Sequence, residues 1–216
     1  MDGTHQDQSI PGAVAAAETL GEAWAAYGAA DYVTAFARFR VLAEQGLPNA
    51  QGMLGMMYAQ GQGIPQDYEK ALGWLGLAAD AGDVNAEYNF GAMYELGLGM
   101  LRMPTEALKW FRRAADKNAA PAQFNIAVYY EMGICVPQDF LMAYMWYHLA
   151  ASETGDDEVH AMAVRERRLM ARKLTKAEIG RARRMASKWM AEHPKTGAAP
   201  GRMPTGGSGR GEGWVN

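Results

Sequence analysis

The chain has 216 residues, 49% of them hydrophobic and 21% charged, with a formal net charge of −3, which suffices for one sizeable core or one array of several small units. No stretch approaches the roughly 18 to 20 unbroken apolar residues that a bilayer-spanning helix needs, so the sequence excludes such a helix. Cys135 is the single cysteine, which rules out an internal disulfide framework.

Residues 1–12 read as a flexible N-terminus. They open with Asp2, His5 and Asp7, whereas a secretory signal has a basic start and an apolar run of about 7 to 15 residues. The best apolar run, Ala13 to Ala17, is ended by Glu18. A cytoplasmic location is therefore expected, with a periplasmic or secreted one as the alternative if the true start lies upstream or the chain is a mature form. Residues 13–48 form an atypical first unit of two helices. Its Gly28, Asp31 and Tyr32 correspond to Gly61, Asp67 and Tyr68 once three loop residues are removed. Ala35, Ala43 and Gly46 then fall 36 places before Ala71, Ala79 and Gly82. Its length is close to that of a tetratricopeptide unit.

Three copies of a 36-residue pattern follow, over 49–84, 85–120 and 121–156. Ala50, Ala86 and Ala122 recur in step, as do Tyr58, Tyr94 and Tyr130, then Gly61, Gly97 and Gly133, then Ala71, Ala107 and Ala143, then Trp74, Trp110 and Trp146. A period of this length marks a stacked array, in which no unit buries its apolar face alone. Each unit reads as two antiparallel helices. Helix A runs from about Asn49 to Gln60, with Ala50, Leu54 and Tyr58 on one face. Gly61 stops it, since glycine enters the left-handed conformation of a helix end without steric cost. Helix B starts near Asp67, an N-cap residue, and Pro104 marks the same boundary one repeat later. It buries Ala71, Trp74, Leu75, Ala78 and Ala79, and the period predicts equivalent burial for all three tryptophans.

Beyond Ala151 the pattern ends and the charge reverses. Residues 160–195 carry eleven Lys or Arg against three acidic residues, a net of +8, while the remainder nets −11. Residues 157–193 read as a basic helical hairpin. Its second helix is opened by the capping box Thr175 and Glu178, and an apolar stripe of Ile179, Ala182, Ala186 and Trp189 suits a cap on the last repeat. Residues 194–216, rich in glycine and proline, read as a disordered tail.

The run Leu54-Gly55-Met56-Met57-Tyr58, then Gly61-Gln62-Gly63-Ile64-Pro65-Gln66-Asp67-Tyr68, Lys70-Ala71, Trp74, Ala78-Ala79 and Gly82 closely resembles the Sel-one-like repeat, a relative of the tetratricopeptide repeat. The resemblance covers residues 20–155. It implies an all-α, right-handed α/α superhelical solenoid that serves as a scaffold or adaptor for protein complexes, often in bacterial signalling or stress pathways, with no catalytic residues to carry over. The second loop departs from the pattern, reading Gly99-Met100-Leu101-Arg102-Met103 without proline, and Cys135 stands where Gly63 and Gly99 stand in the other loops.

Chemistry-bearing motifs are few. Gly61-Gln62-Gly63 lacks the preceding strand of a phosphate loop. His5, His148, His160 and His193 make no metal spacing, although Asp156 and Asp157 could share a face with His160. A lone loop cysteine reads as a neutral replacement more readily than as a nucleophile. No enzyme, no cofactor and no metal is expected. The binding candidates lie on the helix A face turned away from helix B: Met53, Met56 and Gln60; Asn89 and Leu96; Asn125, Val128 and Met132; with Glu95 and Glu131 at the edge. Methionine adapts to irregular apolar partners, and amides at one register suit a peptide backbone. The same residues could instead fill gaps and bond between repeats. A protein or peptide partner on this concave surface is the leading expectation. The alternative is an anionic surface, nucleic acid or acidic lipid, held by Arg165, Arg168, Arg172, Arg181, Arg184 and Lys188. Nucleic acid is the less expected of the partners, because no aromatic residues interleave with these arginines.

Overall fold

The computed structural model describes residues 11–152 and 157–194, and every regular element among them is an α-helix. Residues 1–10 and 195–216, nearly all of the two segments expected to be flexible, lie outside the described residues, as do 153–156 at the end of the third repeat. The first helix begins at Pro11, inside the stretch read as a flexible N-terminus. No described helix is long and apolar enough to cross a membrane. The chain divides into two compact units, Met1–Ala78 and Ala79–Asn216. The boundary falls inside a helix rather than between repeats.

The first unit holds α1 (Pro11–Gly28), α2 (Tyr32–Glu44), α3 (Pro48–Gln60) and most of α4 (Tyr68–Asp80). Trp24 meets Phe39 edge-on at 5.2 Å between ring centroids, and Phe36 meets Tyr58 at 5.3 Å. Helix α3 lies so close to α4 that a methyl at Gly55 would stand 2.7 Å from the Leu75 side chain and 2.9 Å from its backbone nitrogen. The loop between them folds back on the unit. Gly63 has a φ of +73°, and a Cβ there would lie 2.2 Å from the carbonyl oxygen of Tyr32, so both conformation and space demand glycine.

The second unit contains the end of α4, then α5 (Val84–Leu96), α6 (Pro104–Asp116), α7 (Ala120–Met132), α8 (Phe140–Ala150), α9 (Asp157–Ala171) and α10 (Lys176–Glu192). Thr175 and Glu178 form a capping box at the start of α10. Ala182 and Ala186 are fully buried, and the Trp189 ring meets Trp146 at 5.6 Å. This contact breaks the expected equivalence of the three tryptophans. Trp146 is buried beneath α10, whereas Trp74 and Trp110 are only partly buried. Trp110 is bounded by Phe90 at 5.1 Å and by the Arg113 guanidinium, 4.3 Å from its ring centroid.

The A–B loops close in the same way in each repeat. The amide N–H groups of Asp67, Met103 and Asp139 donate to the carbonyls of Tyr58, Tyr94 and Tyr130 at 2.8 to 2.9 Å. One residue earlier, the side chains of Gln66, Arg102 and Gln138 donate to the carbonyls of Ala59, Glu95 and Glu131 at 2.7 to 2.8 Å. Arg102 thus reproduces the glutamine bond in the loop that lacks proline. At the position where Gly63 sits in the first loop, Cys135 adopts a φ of +58°. The same left-handed turn is kept in spite of a side chain that disfavours it.

One polar position recurs in the interior of the repeats. Gln51, Glu87 and Gln123 share a register, and all three are buried. Gln51 donates through Nε2 to the carbonyl of Ala43, at the end of the preceding B helix. Glu87 has no N–H to offer the equivalent carbonyl of Ala79. Arg113 bridges the two, donating from Nη2 to Ala79 and from Nε to Glu87 Oε1, both at 3.0 Å. Lys117 adds bonds to Glu87 Oε1 at 2.9 Å and to the Gly82 carbonyl at 2.8 Å. Where Arg113 stands, the other repeats carry Leu77 and Leu149, and there the recurring position is glutamine. Removing the cations around a buried carboxylate is strongly destabilising. Arg113→Ala with Lys117→Ala is expected to cost about 3 to 5 kcal/mol in chemical denaturation. Adding Glu87→Gln should recover most of that loss, because a neutral amide at this register can donate as Gln51 does.

Candidate functional site

The helix A stripe is not one continuous open surface. Met53 and Met56 are 0% and 1% exposed, and Asn89 is 1% exposed with its Oδ1 lacking a hydrogen-bond partner. These three are interior residues and not contact residues. An inner helix of a stacked array is enclosed by its own partner helix and by its neighbours, so turning Ala50, Leu54 and Tyr58 inward does not leave the opposite face bare. Gln60 is half-buried at the end of α3. Within the second unit, solvent reaches the stripe at Leu96 and along α7, where Asn125 and Val128 are half-buried and Met132 is 65% exposed.

The two acidic edge residues differ in chemistry. Glu131 is tied down, its Oε2 accepting a hydrogen bond from the Tyr147 hydroxyl at 2.8 Å. Burial pushes the Glu95 carboxyl above its usual range, with Arg102 and the Tyr129 hydroxyl opposing. Burial, and then the charge of Glu95, push the Tyr129 hydroxyl far up in turn, so it stays protonated beside Glu95.

On the hairpin, Arg165, Arg168, Arg172, Arg181, Arg184 and Lys188 are all exposed. Arg165 pairs with Glu166 at 2.7 Å and Lys188 with Glu192 at 3.7 Å. Among the described residues the other four have no carboxylate within 4.0 Å. Two further arginines, outside the patch read from sequence, turn back onto α8. Arg167 donates from Nη1 to His148 Nδ1 at 2.9 Å, and Arg183 donates from Nε to the Tyr144 hydroxyl at 3.2 Å. Burial, then Arg167 and Arg183, hold the His148 imidazole below its usual value. Sequence alone carries no signal of these pairings, which span 19 and 39 residues.

Cys135 is exposed, with the Thr105 hydroxyl 3.5 Å from its sulfur. No group of three His, Cys, Asp or Glu side chains able to hold a metal occurs among the described residues, and Asp156, one of the carboxylates set beside His160, lies outside them.

The raised Glu95 carboxyl has a defined consequence for stability. A carboxyl with a higher value folded than unfolded contributes stability below its unfolded value, near pH 4.3, and loses it as pH rises through the folded value. Glu95→Gln is therefore expected to raise the melting temperature at about pH 7 and to leave it nearly unchanged at about pH 4. Equal shifts at both pH values would show that packing, not ionisation, sets the effect.

The sequence matches the Sel1 repeat family three times, at residues 48–83, 84–118 and 120–154. No curated protein matches it significantly. Among solved structures it is similar to c5321, a protective antigen of uropathogenic Escherichia coli strains with an SLR fold. That likeness has 24% identity and a TM-score of 0.66, and covers 81% of this chain and 38% of that one. It is also similar to a Sel1 repeat protein from Oxalobacter formigenes, with 24% identity and a TM-score of 0.64 over 84% of this chain and 91% of that one. At such identities the likeness establishes the fold. The helix pairs, the matched residues and the shared fold together show that this chain carries three Sel1 repeats, in an all-α solenoid built from helical repeats.

Proposed function

We propose that this Sel1-repeat protein is a non-enzymatic scaffold that binds a protein or peptide partner on the open part of its helix A surface. The Sel1 repeat family consists of helical-repeat scaffolds that bind protein partners. The observation that carries the finer reading is the pattern of exposure in the second unit. Met132 is 65% exposed and Leu96 37% exposed, on helices whose other apolar side chains are mostly buried. Asn125 and Val128 lie beside Met132 along the same helix, half-buried. A flexible methionine and an amide on a rigid helix can accept an apolar side chain and a backbone amide together. A polar rim around an apolar anchor is the usual anatomy of such sites.

The alternative, an anionic polymer or acidic lipid on the hairpin, has one observation in its favour. Arg168, Arg172, Arg181 and Arg184 have no carboxylate partner among the described residues. Against it stand the negative net charge of the chain and, among the described hairpin residues, the stacking of their one aromatic ring, Trp189, on His193.

Asn125→Ala combined with Met132→Glu is expected to abolish capture of a partner identified by pull-down and mass spectrometry, with the melting temperature unchanged. Full capture by the variant would remove α7 from the binding surface. For the hairpin, Trp189→Ala should lower the stability measured by chemical denaturation by about 2 to 4 kcal/mol, through lost cover on Trp146. Arg181→Glu with Arg184→Glu should change stability by less than about 1 kcal/mol. Sub-micromolar, steeply salt-dependent binding of the native chain to nucleic acid, lost in the charge reversal, would favour the anionic-surface reading instead.

A further inference from the structure

The junction of α8, α9 and α10 gathers positive charge without neutralising it. Tyr144 and His148 occupy successive turns of α8 with their rings stacked, 6.3 Å between centroids and 19° between planes. Arg167 from α9 is held on His148 Nδ1, and Arg183 from α10 on the Tyr144 hydroxyl. Each guanidinium gives one N–H to a neutral acceptor and keeps the rest of its five donors. Among the described residues neither has a carboxylate within 4.0 Å. Such an arrangement brings like charges together, and both arginines act on the same imidazole. Because Tyr144 is 3% exposed and Arg167 is half-buried, the forks are braced by the packing of three helices.

We propose that Arg167 and Arg183 form an oxyanion-binding site for carboxylates, one that takes an acidic segment of a partner protein. Guanidinium forks match carboxylate geometry two bonds at a time, and positioning by fixed neighbours lowers the entropy lost on binding. A peptide fits the surroundings better than a nucleic acid does. Tyr144 is buried against His148, and one face of Trp189 is covered by the His193 ring at 4.3 Å. No open ring is left there for a base to stack on. The +8 of residues 160–195 supplies long-range attraction for an acidic chain. This site is separate from the α7 surface, and its loss would leave the helix A reading intact.

The test uses the full chain with fluorescein-labelled hexaglutamate as probe at low ionic strength. The native protein should bind it, and Arg183→Gln and Arg167→Gln should each weaken binding about tenfold, the loss of a charge-assisted pair. Arg181→Gln, which removes one equal charge nearby, should weaken it less than about threefold. Arg183→Lys keeps the charge but not the fork and should also lose several-fold affinity. Arg183 is exposed, so its variants keep the fold and decide the matter even if Arg167→Gln lowers the melting temperature. Equal losses at Arg181 and Arg183 would overturn the proposal in favour of diffuse surface charge. It would equally be overturned by full affinity in Arg183→Lys, by no binding of hexaglutamate, or by tighter binding to single-stranded DNA or phosphatidylserine vesicles than to the peptide.

Discussion

Everything else in this fold depends on how closely helix A approaches helix B. At Gly55 the partner helix is so near that a single methyl would meet a backbone nitrogen, and at Gly91 a methyl would stand 3.0 Å from the Phe111 ring. The third repeat has Ala127 at this register, fully buried. Opposite lie Ala71, Ala107 and Ala143, each with no exposure. Small residues on both sides let the helix backbones come together, and interiors packed at crystal-like density then hold the larger rings in fixed places. The loop bonds at Tyr58, Tyr94 and Tyr130 follow from the same geometry, since helices held this close must be joined by a turn of constant shape.

That closeness also explains why the array exposes so little of helix A. A helix enclosed on several sides needs partners for its polar groups, and Gln51, Glu87 and Gln123 meet this need to different degrees. Gln51 bonds directly to a helix end. Glu87 reaches the equivalent carbonyl through Arg113, with Lys117 as a second cation on its carboxylate. Gln123 leaves both of its amide atoms buried and without a partner. The cost of an unsatisfied buried amide makes the third repeat the least completed of the three, and α7 is also where the helix A surface opens. Stability and accessibility are exchanged from repeat to repeat.

The terminal hairpin has two faces with separate tasks. Ala182, Ala186 and Trp189 face the last repeat and bury Trp146, as the end of any stacked array must be covered. Most of the arginines of the charged face have no carboxylate partner among the described residues, and two of them are braced on α8.

The repeat architecture was legible in the sequence because its determinants are local and periodic. Glycine ends, aspartate or proline starts, and small residues at a fixed spacing act within a few turns of one another, so Gly61, Asp67 and Pro104 mark their boundaries without help from the rest of the chain. The candidate surface was legible only in part. Met132 is exposed and Asn125 half-buried, while Met53, Met56 and Asn89, chosen by the same spacing, are interior. Helical periodicity distinguishes faces but does not say how many faces the neighbours cover. The pairing of Glu87 with Arg113, the graded burial of the three tryptophans, and the turning of Arg167 and Arg183 onto Tyr144 and His148 were decided by tertiary structure alone. Each depends on the distance and angle between separate helices, and that geometry exists only once the small residues have let the helices close.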